Sequence, residues 1–535
     1  MLSNLKGVGP IQKPHGISAA LFWLALVFLA CVSVGIAGAS LLWPLSWDEG
    51  IFAWIGGVLA RGGTPYVDAW DVKGPIAYFG YALANTLLGT SAHAVRILDL
   101  LLTLAGTVAV FRLLRKSIDR SAAMIAALLL FVSVLGQGYN VNGQPDLWAG
   151  WCLVAVVTLV SVPGSVVRVG VAAMFLGVAV LIKPTYAAMG LLLLVPIASS
   201  IGKDWRAYSR YAVAIIVGGA FPIALCAAWF WSRGALSEFW SAYIGFNVES
   251  GASNHRALSG VVNSILSFLI SHRAVLVSIP AIVVGLSTSF RSTSAPIAVW
   301  RTRLLATWIL TLFALVILQN RFFSYHWAPL YPPLAVAAGI GFHRLMNRQQ
   351  NEGFARLVRG TALAAVALIA VGASLAPLRQ ITRAARLVTH RITTDEYLAA
   401  FDDYPGVQTA GDVRLAANYV KAHTQLSDYV FVWEDPNVNV LSGRPTPGRF
   451  AFWTPLISSG EGAMTPRYEA HRAEFFRTLE QRPPALLLME RAAWRDGNTK
   501  TIANVPTKFP EFMHWIEERY VVNDSAGAFL VFKKR

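Results

Sequence analysis

Trp47-Asp48-Glu49-Gly50 places two adjacent carboxylates directly after the first long apolar run of the chain. Further along, Asp71-Val72-Lys73-Gly74-Pro75 adds another acid and a lysine. Between the two motifs, apolar residues recur at helical spacing: Ile51, Trp54, Ile55, Val58 and Leu59. This spacing predicts a short helix that lies flat on the bilayer with one apolar face. Acids and a lysine held at one membrane surface suit chemistry on a lipid-linked substrate better than transport through a pore.

The composition of the chain is that of a polytopic membrane protein. Of its 535 residues, 55% are hydrophobic and 14% are charged, whereas an ordinary soluble domain carries roughly a quarter charged residues. The net charge of +16 does not indicate nucleic-acid binding, because the basic residues fall in short clusters between apolar runs. Cys31, Cys152 and Cys226 lie in apolar runs without metal or redox spacing, so neither a disulfide framework nor a zinc site is predicted.

The apolar runs predict about eleven membrane spans, because a spanning helix needs about 20 apolar residues. The runs lie near residues 18–42, 91–112, 121–139, 147–162, 169–183, 185–200, 211–231, 274–290, 304–320, 329–343 and 360–378. The first run is too long for a cleaved signal peptide and is predicted to be a retained helix. The run Ile76–Leu88 is too short to cross and is predicted to be a second helix at the membrane surface.

The charges between the runs predict the orientation of the chain. With the N-terminus in the cytoplasm, the inner loops contain clusters of arginine and lysine, as in 112–120 and 203–210. The outer loops contain most of the acids, which is the bias that the positive-inside rule requires. An odd number of spans then places everything after Pro377 outside the membrane.

The composition changes near residue 380 and divides the chain into two predicted domains. Residues 1–379 form a transmembrane domain, and residues 380–535 form a small domain outside the membrane. In the second domain the patterns predict strands at 429–433, 485–489 and 526–532, and amphipathic helices at Val413–His423 and Glu511–Arg519. The predicted fold is an α-helical polytopic membrane protein with a small α/β extracytoplasmic C-terminal domain.

Further polar residues lie at the predicted ends of spans, on the same membrane face as the two motifs: Asp146, Lys183 and Arg321. Each has a plain structural explanation when taken alone. Lys183 can extend to the interface, and Asp48 and Asp146 can cap helices. His326 and Tyr325 fit an interfacial hydrogen bond and an aromatic belt. Because ionisable groups at membrane depth usually face a cavity or a partner, their joint position favours a functional site.

These motifs resemble those of GT-C glycosyltransferases, in particular the bacterial group related to protein O-mannosyltransferases, aminoarabinose transferases and rhizobial galacturonosyltransferases. The first outer loop of that family reads Asp-Glu, a helix, a tyrosine-aromatic stretch and then Lys-Pro-Pro. Here the loop ends in Lys73-Gly74-Pro75, so one proline is missing. The resemblance continues at Asp146, at Lys183-Pro184, at Arg321–His326 and in the C-terminal domain, and so covers nearly the whole chain.

The resemblance implies a GT-C fold and an inverting hexosyl or pentosyl transferase that uses a polyprenyl-phosphate sugar. The acceptor would be lipid A or core, an envelope polysaccharide or an exported protein, at the outer face of the bacterial inner membrane. A carboxylate can act as base for the acceptor hydroxyl, and fixed cations can stabilise the leaving phosphate. The predicted catalytic residues are Asp48, as the base, and Asp146. The predicted substrate-binding residues are Glu49, Asp71, Lys73, Lys183, Arg321, Tyr325 and His326.

Two further predictions concern a metal and a lid. The acids Asp48, Glu49 and Asp146 offer oxygen ligands to a divalent cation, but a monophosphate donor does not require one, so no metal or other cofactor is assigned. The outer segment 233–257, which contains Trp240, Asn247 and Glu249, is predicted to form either a mobile lid or plain interfacial packing.

Two other classes of function are left open by the sequence. A transporter or flippase for lipid-linked sugars usually shows repeat symmetry and charged groups at mid-membrane. This sequence has no visible repeat, and its charged motifs cluster at one face. A non-catalytic envelope scaffold would leave that convergence of acids and bases without a purpose.

Overall fold

The computed structural model describes residues 17–89, 91–162, 164–200, 205–252, 258–271, 278–279, 281–283, 296–346, 371–404, 408–457, 465–494 and 505–535. Helices dominate the first part of the chain. Their bounds are Ile17–Ser40, Trp47–Ala60, Pro75–Leu88, Ala92–Ser117, Arg120–Leu135, Pro145–Val160, Val166–Ile182, Leu191–Ser200, Trp205–Ser232, Leu236–Trp240, Asn247–Ala252, Leu258–Ser271, Pro296–Gln319 and Tyr331–Met346. Turns of 3₁₀ helix cover Pro184–Gly190 and Ser324–Leu330, and a π-helix covers Ser241–Phe246.

These helices coincide with most of the predicted spans. Among the described helices, three are long and apolar enough to cross a membrane: Trp23–Ser40, Ala92–Ser117 and Trp205–Ser232. Other predicted spans correspond to shorter apolar helices, such as Pro145–Val160 and Val166–Ile182. The predicted spans at 274–290 and 360–378 fall largely outside the described residues. The helical membrane fold is therefore confirmed, while the count of eleven spans and their orientation stay predictions.

The predicted helix between the two motifs is present and covers Trp47–Ala60; we call it the acidic helix. Other parts of the protein pack around several sides of this helix. It therefore differs from the predicted helix, which would lie flat on the bilayer with a single apolar face. Phe52 and Ala53 are buried together with Ile51, Trp54 and Ile55 of the predicted apolar face, whereas Val58 and Leu59 are half-buried. A Cβ atom on Gly50 would lie 2.5 Å from the side chain of Asn437, and one on Gly56 would lie 2.8 Å from Tyr81. The two glycines thus allow close packing against the C-terminal domain on one side and against the Pro75–Leu88 helix on the other.

The C-terminal domain is α/β, as predicted. Its helices are Thr394–Leu398, Ala410–His423, Asn437–Ser442, Pro466–Gln481, Arg491–Trp494, Val505–Lys508 and Pro510–Arg519. Its strands are β1 (Asp402–Tyr404), β2 (Gln408–Thr409), β3 (Val430–Val432), β4 (Leu486–Glu490), β5 (Tyr520–Ala526) and β6 (Phe529–Lys534). The predicted strands at 429–433, 485–489 and 526–532 correspond to β3, β4 and β6. The domain boundary near residue 380 stays a prediction, and a helix that covers 371–388 runs through it.

One sheet in the order β3-β4-β6-β5 forms the centre of this domain. Strands β3 and β4 are parallel, and β6 pairs antiparallel with both β4 and β5. Both faces of the sheet are covered. Val430 and Leu486 pack with the Ala410–His423 helix on one face, and Phe431 and Leu487 join an aromatic core on the other. Burial on both faces explains why β3 and β4 read as continuous apolar runs.

Two buried glutamates lie where β3 and β4 end. The backbone N–H of Glu490 donates to Oε2 of Glu434 at 3.0 Å, and both residues are buried. Burial, together with the neighbouring acids Asp435 and Asp412, raises the pKa of Glu490 to about 8. Burial and the charge of Glu490 likewise raise the pKa of Glu434. The folded domain therefore holds protons that the unfolded chain releases at neutral pH.

The stability of the protein should consequently fall as the pH rises. Folding raises the pKa of Glu490 from its ordinary value of 4.5 to about 8. The contribution of this group to stability is therefore complete below pH 4.5 and is lost as the pH rises through about 8. We expect the midpoint of thermal unfolding of the full chain in detergent to fall over this range, and Glu490→Gln to flatten the dependence. The exposed Glu517→Gln provides the control. Identical pH profiles for wild type and Glu490→Gln would contradict the assignment.

Candidate active site

Asp48 and Glu49, in the first turn of the acidic helix, lie in different surroundings. Glu49 turns inward, where the backbone N–H of Ser46 donates to its Oε2 at 2.8 Å as half of a capping box. Asp48 stays half-buried. Its side chain accepts a weak hydrogen bond from a neutral group, since Nε2 of Gln144 lies 3.4 Å from its Oδ2. Asp48 thus has no ion pair among the described residues and remains available as a proton acceptor.

Glu49 is held in the interior by Arg96. The guanidinium grips both oxygens of the carboxylate, at 2.8 and 2.7 Å, and Tyr81 adds a hydrogen bond to Oε1 at 3.2 Å. Arg96 also donates to the backbone carbonyls of Asn142 and Pro44. Both ionic side chains are almost fully buried. The ion pair between Arg96 and Glu49 joins the start of the acidic helix to the Ala92–Ser117 helix and to the loop that carries Gln144.

The loop after the acidic helix, residues 61–74, presents Asp71 and Lys73; we call it the lysine loop. Tyr78 donates to Oδ2 of Asp71 at 2.9 Å. Burial raises the pKa of Asp71 to about 6, although Lys73 acts in the opposite direction, and Asp48 lies near enough to contribute. Nζ of Lys73 lies 3.5 Å from the hydroxyl of Tyr325 and 5.0 Å from the centre of its ring. The lysine loop therefore meets the segment that follows Arg321.

The predicted residues from later in the chain join the same cluster. Nζ of Lys183 donates to Oδ1 of Asp146 at 3.1 Å, and Tyr186 donates to the same oxygen at 2.8 Å. Asp146, Lys73, Lys183 and Arg321 all lie close enough to act electrostatically on the buried His326. We call Lys73, Lys183 and Arg321 the cation cluster. The structure therefore brings together every predicted site residue except Glu49, whose carboxylate is buried in the ion pair with Arg96.

The loop that carries Arg321, residues 320–323, adopts an unusual backbone; we call it the arginine loop. Asn320 and Phe322, on either side of Arg321, have φ of 53° and 52°. This left-handed region costs roughly 1–3 kcal/mol for a non-glycine residue and tends to occur at functional sites. A bulky residue such as phenylalanine is rarely found there. The local strain is consistent with a loop shaped to aim the arginine.

Gly74, where the related family has proline, allows the lysine loop to reach Lys183. A Cβ atom at this position would lie 2.0 Å from the carbonyl oxygen of Leu181 and 2.4 Å from that of Ile182. Only glycine fits such a close approach of two backbones. The departure from the family pattern therefore brings Lys73 beside the residues that precede Lys183.

Gly74→Ala should lower the stability of the protein. The added methyl group forces the two backbone segments apart, and overpacking of this kind costs about 1–3 kcal/mol. We expect a lower midpoint of thermal unfolding for the full chain in detergent. Gly38→Ala is the matched control, because a Cβ atom on Gly38 would meet no atom within 4 Å. Equal effects of the two substitutions would contradict this account.

Several site residues were not identified from the sequence. Arg96 interrupts an apolar run, and an ionisable residue within a predicted span is itself a signal of a buried partner. Gln144, Tyr78 and Tyr186 contact the predicted carboxylates, but neutral polar residues near helix ends give no comparable signal. The trio Asp48, Glu49 and Asp146 does not form a metal site, since Glu49 is engaged by Arg96. In the described parts of the chain, no group of three His, Cys, Asp or Glu could hold a metal ion.

The C-terminal domain packs directly on the motifs. The indole N–H of Trp47 donates to the carbonyl oxygen of Glu434, and the Asn437 amide donates to the carbonyl oxygen of Ser46 at 3.0 Å. The predicted lid segment is tied down in the described part. The Asn247 amide donates to the carbonyl oxygen of Val72 at 2.7 Å, and Glu249 pairs with Arg467. Residues 253–257 of that segment lie outside the described residues, and its role as a lid stays a prediction.

Comparison with known proteins identifies the fold. The sequence model of the family described as dolichyl-phosphate-mannose-protein mannosyltransferase matches residues 72–231. No curated protein matches the chain in sequence. The crystal structure of ArnT from Cupriavidus metallidurans bound to undecaprenyl phosphate is similar over 95% of this chain and 97% of its own, with 15% identity and a TM-score of 0.63.

Two further structures show similar relations. ArnT from the same organism in the apo state has 15% identity and a TM-score of 0.61 over 96% of this chain and 98% of its own. The archaeal oligosaccharyltransferase AglB from Archaeoglobus fulgidus has 13% identity over 88% of this chain and 70% of its own, with a TM-score of 0.45. The resemblance predicted from the sequence is confirmed, since the chain has the fold of ArnT over nearly its whole length and residues 72–231 match the dolichyl-phosphate-mannose-protein mannosyltransferase family.

Proposed function

We propose that this protein transfers a sugar from a polyprenyl phosphate to a hydroxyl group of a cell-envelope acceptor, with inversion at the anomeric carbon. The reaction would take place at the outer face of the bacterial inner membrane. The observation that carries the proposal is the cation cluster beside Asp48 and Asp71. ArnT is bound to undecaprenyl phosphate in its crystal structure, and we propose a donor of the same lipid class for this protein.

The cation cluster suits a phosphate that gains charge during the reaction. Lys73, Lys183 and Arg321 all act on His326, so they lie near one another at one end of the site. Fixed cations of this kind stabilise developing charge without reorganising, and arginine can hold phosphate with two donors. Tyr325 orients the ammonium group of Lys73.

Asp48 suits the role of base. The acceptor oxygen attacks the anomeric carbon of the donor, and its proton passes to the Asp48 carboxylate. The bond between that carbon and the phosphate oxygen breaks, and the phosphate keeps the electron pair. Asp146 is less suited to accept the proton, because Lys183 and Tyr186 already occupy its Oδ1. We assign Asp146 to positioning Lys183, and Glu49 with Arg96 to fixing the start of the acidic helix.

A flippase for lipid-linked sugars is the second candidate, and it needs the same cations for the lipid phosphate. It does not need a carboxylate without an ion pair beside them. Purified protein in vesicles, supplied with a polyprenyl-phosphate sugar and an envelope extract as acceptor, separates the two functions. We expect covalent transfer of the sugar to the acceptor. Movement of the lipid across the vesicle without transfer would favour the flippase and overturn the proposal.

A further inference from the structure

Arg449 of the C-terminal domain contacts the lysine loop at two of its backbone groups. The backbone N–H of Trp70 donates to the carbonyl oxygen of Arg449 at 2.8 Å. The guanidinium of Arg449 donates in turn to the carbonyl oxygen of Tyr66 at 2.9 Å. Arg449 therefore holds the middle of the lysine loop with both its backbone and its side chain.

A glutamate fixes the guanidinium of Arg449 in place. Nε and Nη2 of Arg449 donate to the two carboxylate oxygens of Glu474, each at 2.6 Å. Two parallel hydrogen bonds of this kind form the strong and directional type of arginine–carboxylate pair. The contact with Tyr66 uses the remaining nitrogen, Nη1. The ion pair and the loop contact therefore share one rigid planar group.

Tyr66 links Arg449 to Lys73. The hydroxyl of Tyr66 donates to the carbonyl oxygen of Lys73 at 2.8 Å, and the hydroxyl of Tyr78 donates to the same oxygen at 3.2 Å. Tyr66 thus contacts Arg449 through its backbone and Lys73 through its side chain. A shift of the Tyr66 backbone would move the backbone of the residue that carries the Lys73 ammonium group.

The backbone of Tyr66 depends on support from its surroundings. Its φ is 71°, in the left-handed region that is rare for a bulky residue and persists only where the surrounding structure enforces it. Its buried ring packs against Phe230 and Phe239, with 5.6 and 5.8 Å between ring centres. These contacts hold the side chain, whereas the guanidinium of Arg449 holds the carbonyl group. Loss of the guanidinium would allow the strained backbone to relax.

Trp70 packs the same loop against aromatic groups of the C-terminal domain. Its ring centre lies 6.1 Å from that of Phe450 and 5.2 Å from that of His471. On the other side, it lies 5.1 Å from the ring centre of Phe246 in the π-helix. Trp70 is almost fully buried. The C-terminal domain therefore supplies much of the surface against which the lysine loop packs.

We infer that Arg449 is a positioning residue for Lys73, and that the C-terminal domain thereby sets the place of the Lys73 ammonium group in the cation cluster. This inference rests on the proposed function, in which the cation cluster binds the phosphate of the donor. Arg449 acts through the lysine loop and needs no contact with the donor. An arginine that only joined two domains would affect stability alone.

Binding of bare undecaprenyl phosphate to the full chain in detergent tests the inference. Arg449→Met removes the guanidinium, and Arg449→Lys keeps a positively charged donor. Arg472→Met is the matched control. Arg472 also pairs with a glutamate, and it donates to the carbonyl oxygens of Leu456 and Lys508, which lie in the C-terminal domain and outside the lysine loop. Thermal unfolding of each variant verifies that it is folded.

We expect Arg449→Met to bind undecaprenyl phosphate at least about tenfold more weakly, because the lipid phosphate loses a well-placed charged donor. Arg449→Lys should recover part of this loss, and Arg472→Met should bind the lipid like wild type. Unchanged binding by Arg449→Met, or an equal loss in Arg472→Met, would overturn the inference.

A double substitution shows whether Arg449 acts through Lys73. Lys73→Met alone should also weaken binding of the lipid. The variant that combines Arg449→Met with Lys73→Met should bind no more weakly than Lys73→Met, because the lysine to be positioned is already absent. A double-mutant cycle on the binding affinities measures this coupling. Losses that simply add would show that Arg449 acts independently of Lys73 and would also overturn the inference.

The same measurements separate this inference from the proposed function. If wild type binds the lipid with coupling between Arg449 and Lys73 and yet transfers no sugar, the transferase is refuted and the positioning role stands. If wild type transfers sugar and Arg449→Met binds the lipid as tightly as wild type, the positioning role is refuted and the transferase stands.

Discussion

Asp48→Asn is expected to lower the rate of sugar transfer at least about a hundredfold, the range for a removed general base. The asparagine keeps the shape of the side chain and the contact with Gln144, so the acidic helix should still form. Only the ability to accept the proton of the acceptor is lost. Because we propose that the cation cluster, and not Asp48, binds the lipid phosphate, we expect the loss to fall on kcat, with little change in KM for the donor.

Two comparisons make this result specific. Asp68→Asn, in the exposed part of the lysine loop, retains an oxygen for the backbone N–H of Thr64 and should transfer sugar at nearly the wild-type rate. Asp146→Asn frees Lys183 and should mainly raise KM for the donor. Full activity of Asp48→Asn would end the assignment of Asp48 as base. Equal kinetic effects at Asp48 and Asp146 would contradict the division of roles between them.

The largest expected effect on stability comes from Arg96→Met. The substitution leaves the Glu49 carboxylate buried without its counter-charge, and breaking a buried ion pair by removing one partner costs about 3–5 kcal/mol. It also removes donors from the carbonyls of Asn142 and Pro44. We expect a clear drop in the midpoint of thermal unfolding in detergent.

The double substitution Arg96→Met with Glu49→Gln provides the matched control. Without the isolated charge, the double variant should recover part of the lost stability, because a neutral pair is often tolerated where a single ion is not. A double-mutant cycle on the unfolding midpoints measures this coupling. If Arg96→Met alone were as stable as wild type, the ion pair between Arg96 and Glu49 would have no structural role.

The sequence was sufficient to predict where the charged motifs meet. Asp48, Lys73, Asp146 and Lys183 lie at the ends of apolar segments, and the topology of a membrane bundle leaves few places for such ends. The pairing of Glu49 with Arg96 could not be predicted, because two adjacent carboxylates look alike until packing turns one of them inward. Strand β5 was missed for a related reason. Its exposed middle, which includes Asn523 and Asp524, lacks the apolar pattern of a strand, and only its pairing with β6 defines it.

The contacts of Trp47 and Asn437 have a consequence for any chimera of this protein. The C-terminal domain holds the two residues that precede Asp48 through Glu434 and Asn437, and the lack of a side chain at Gly50 allows this close packing. A chimera that joins the helical part of the chain to a foreign C-terminal domain would therefore change the surroundings of Asp48, the proposed proton acceptor. The C-terminal domain is best exchanged together with residues 46–50, although the two are far apart along the chain.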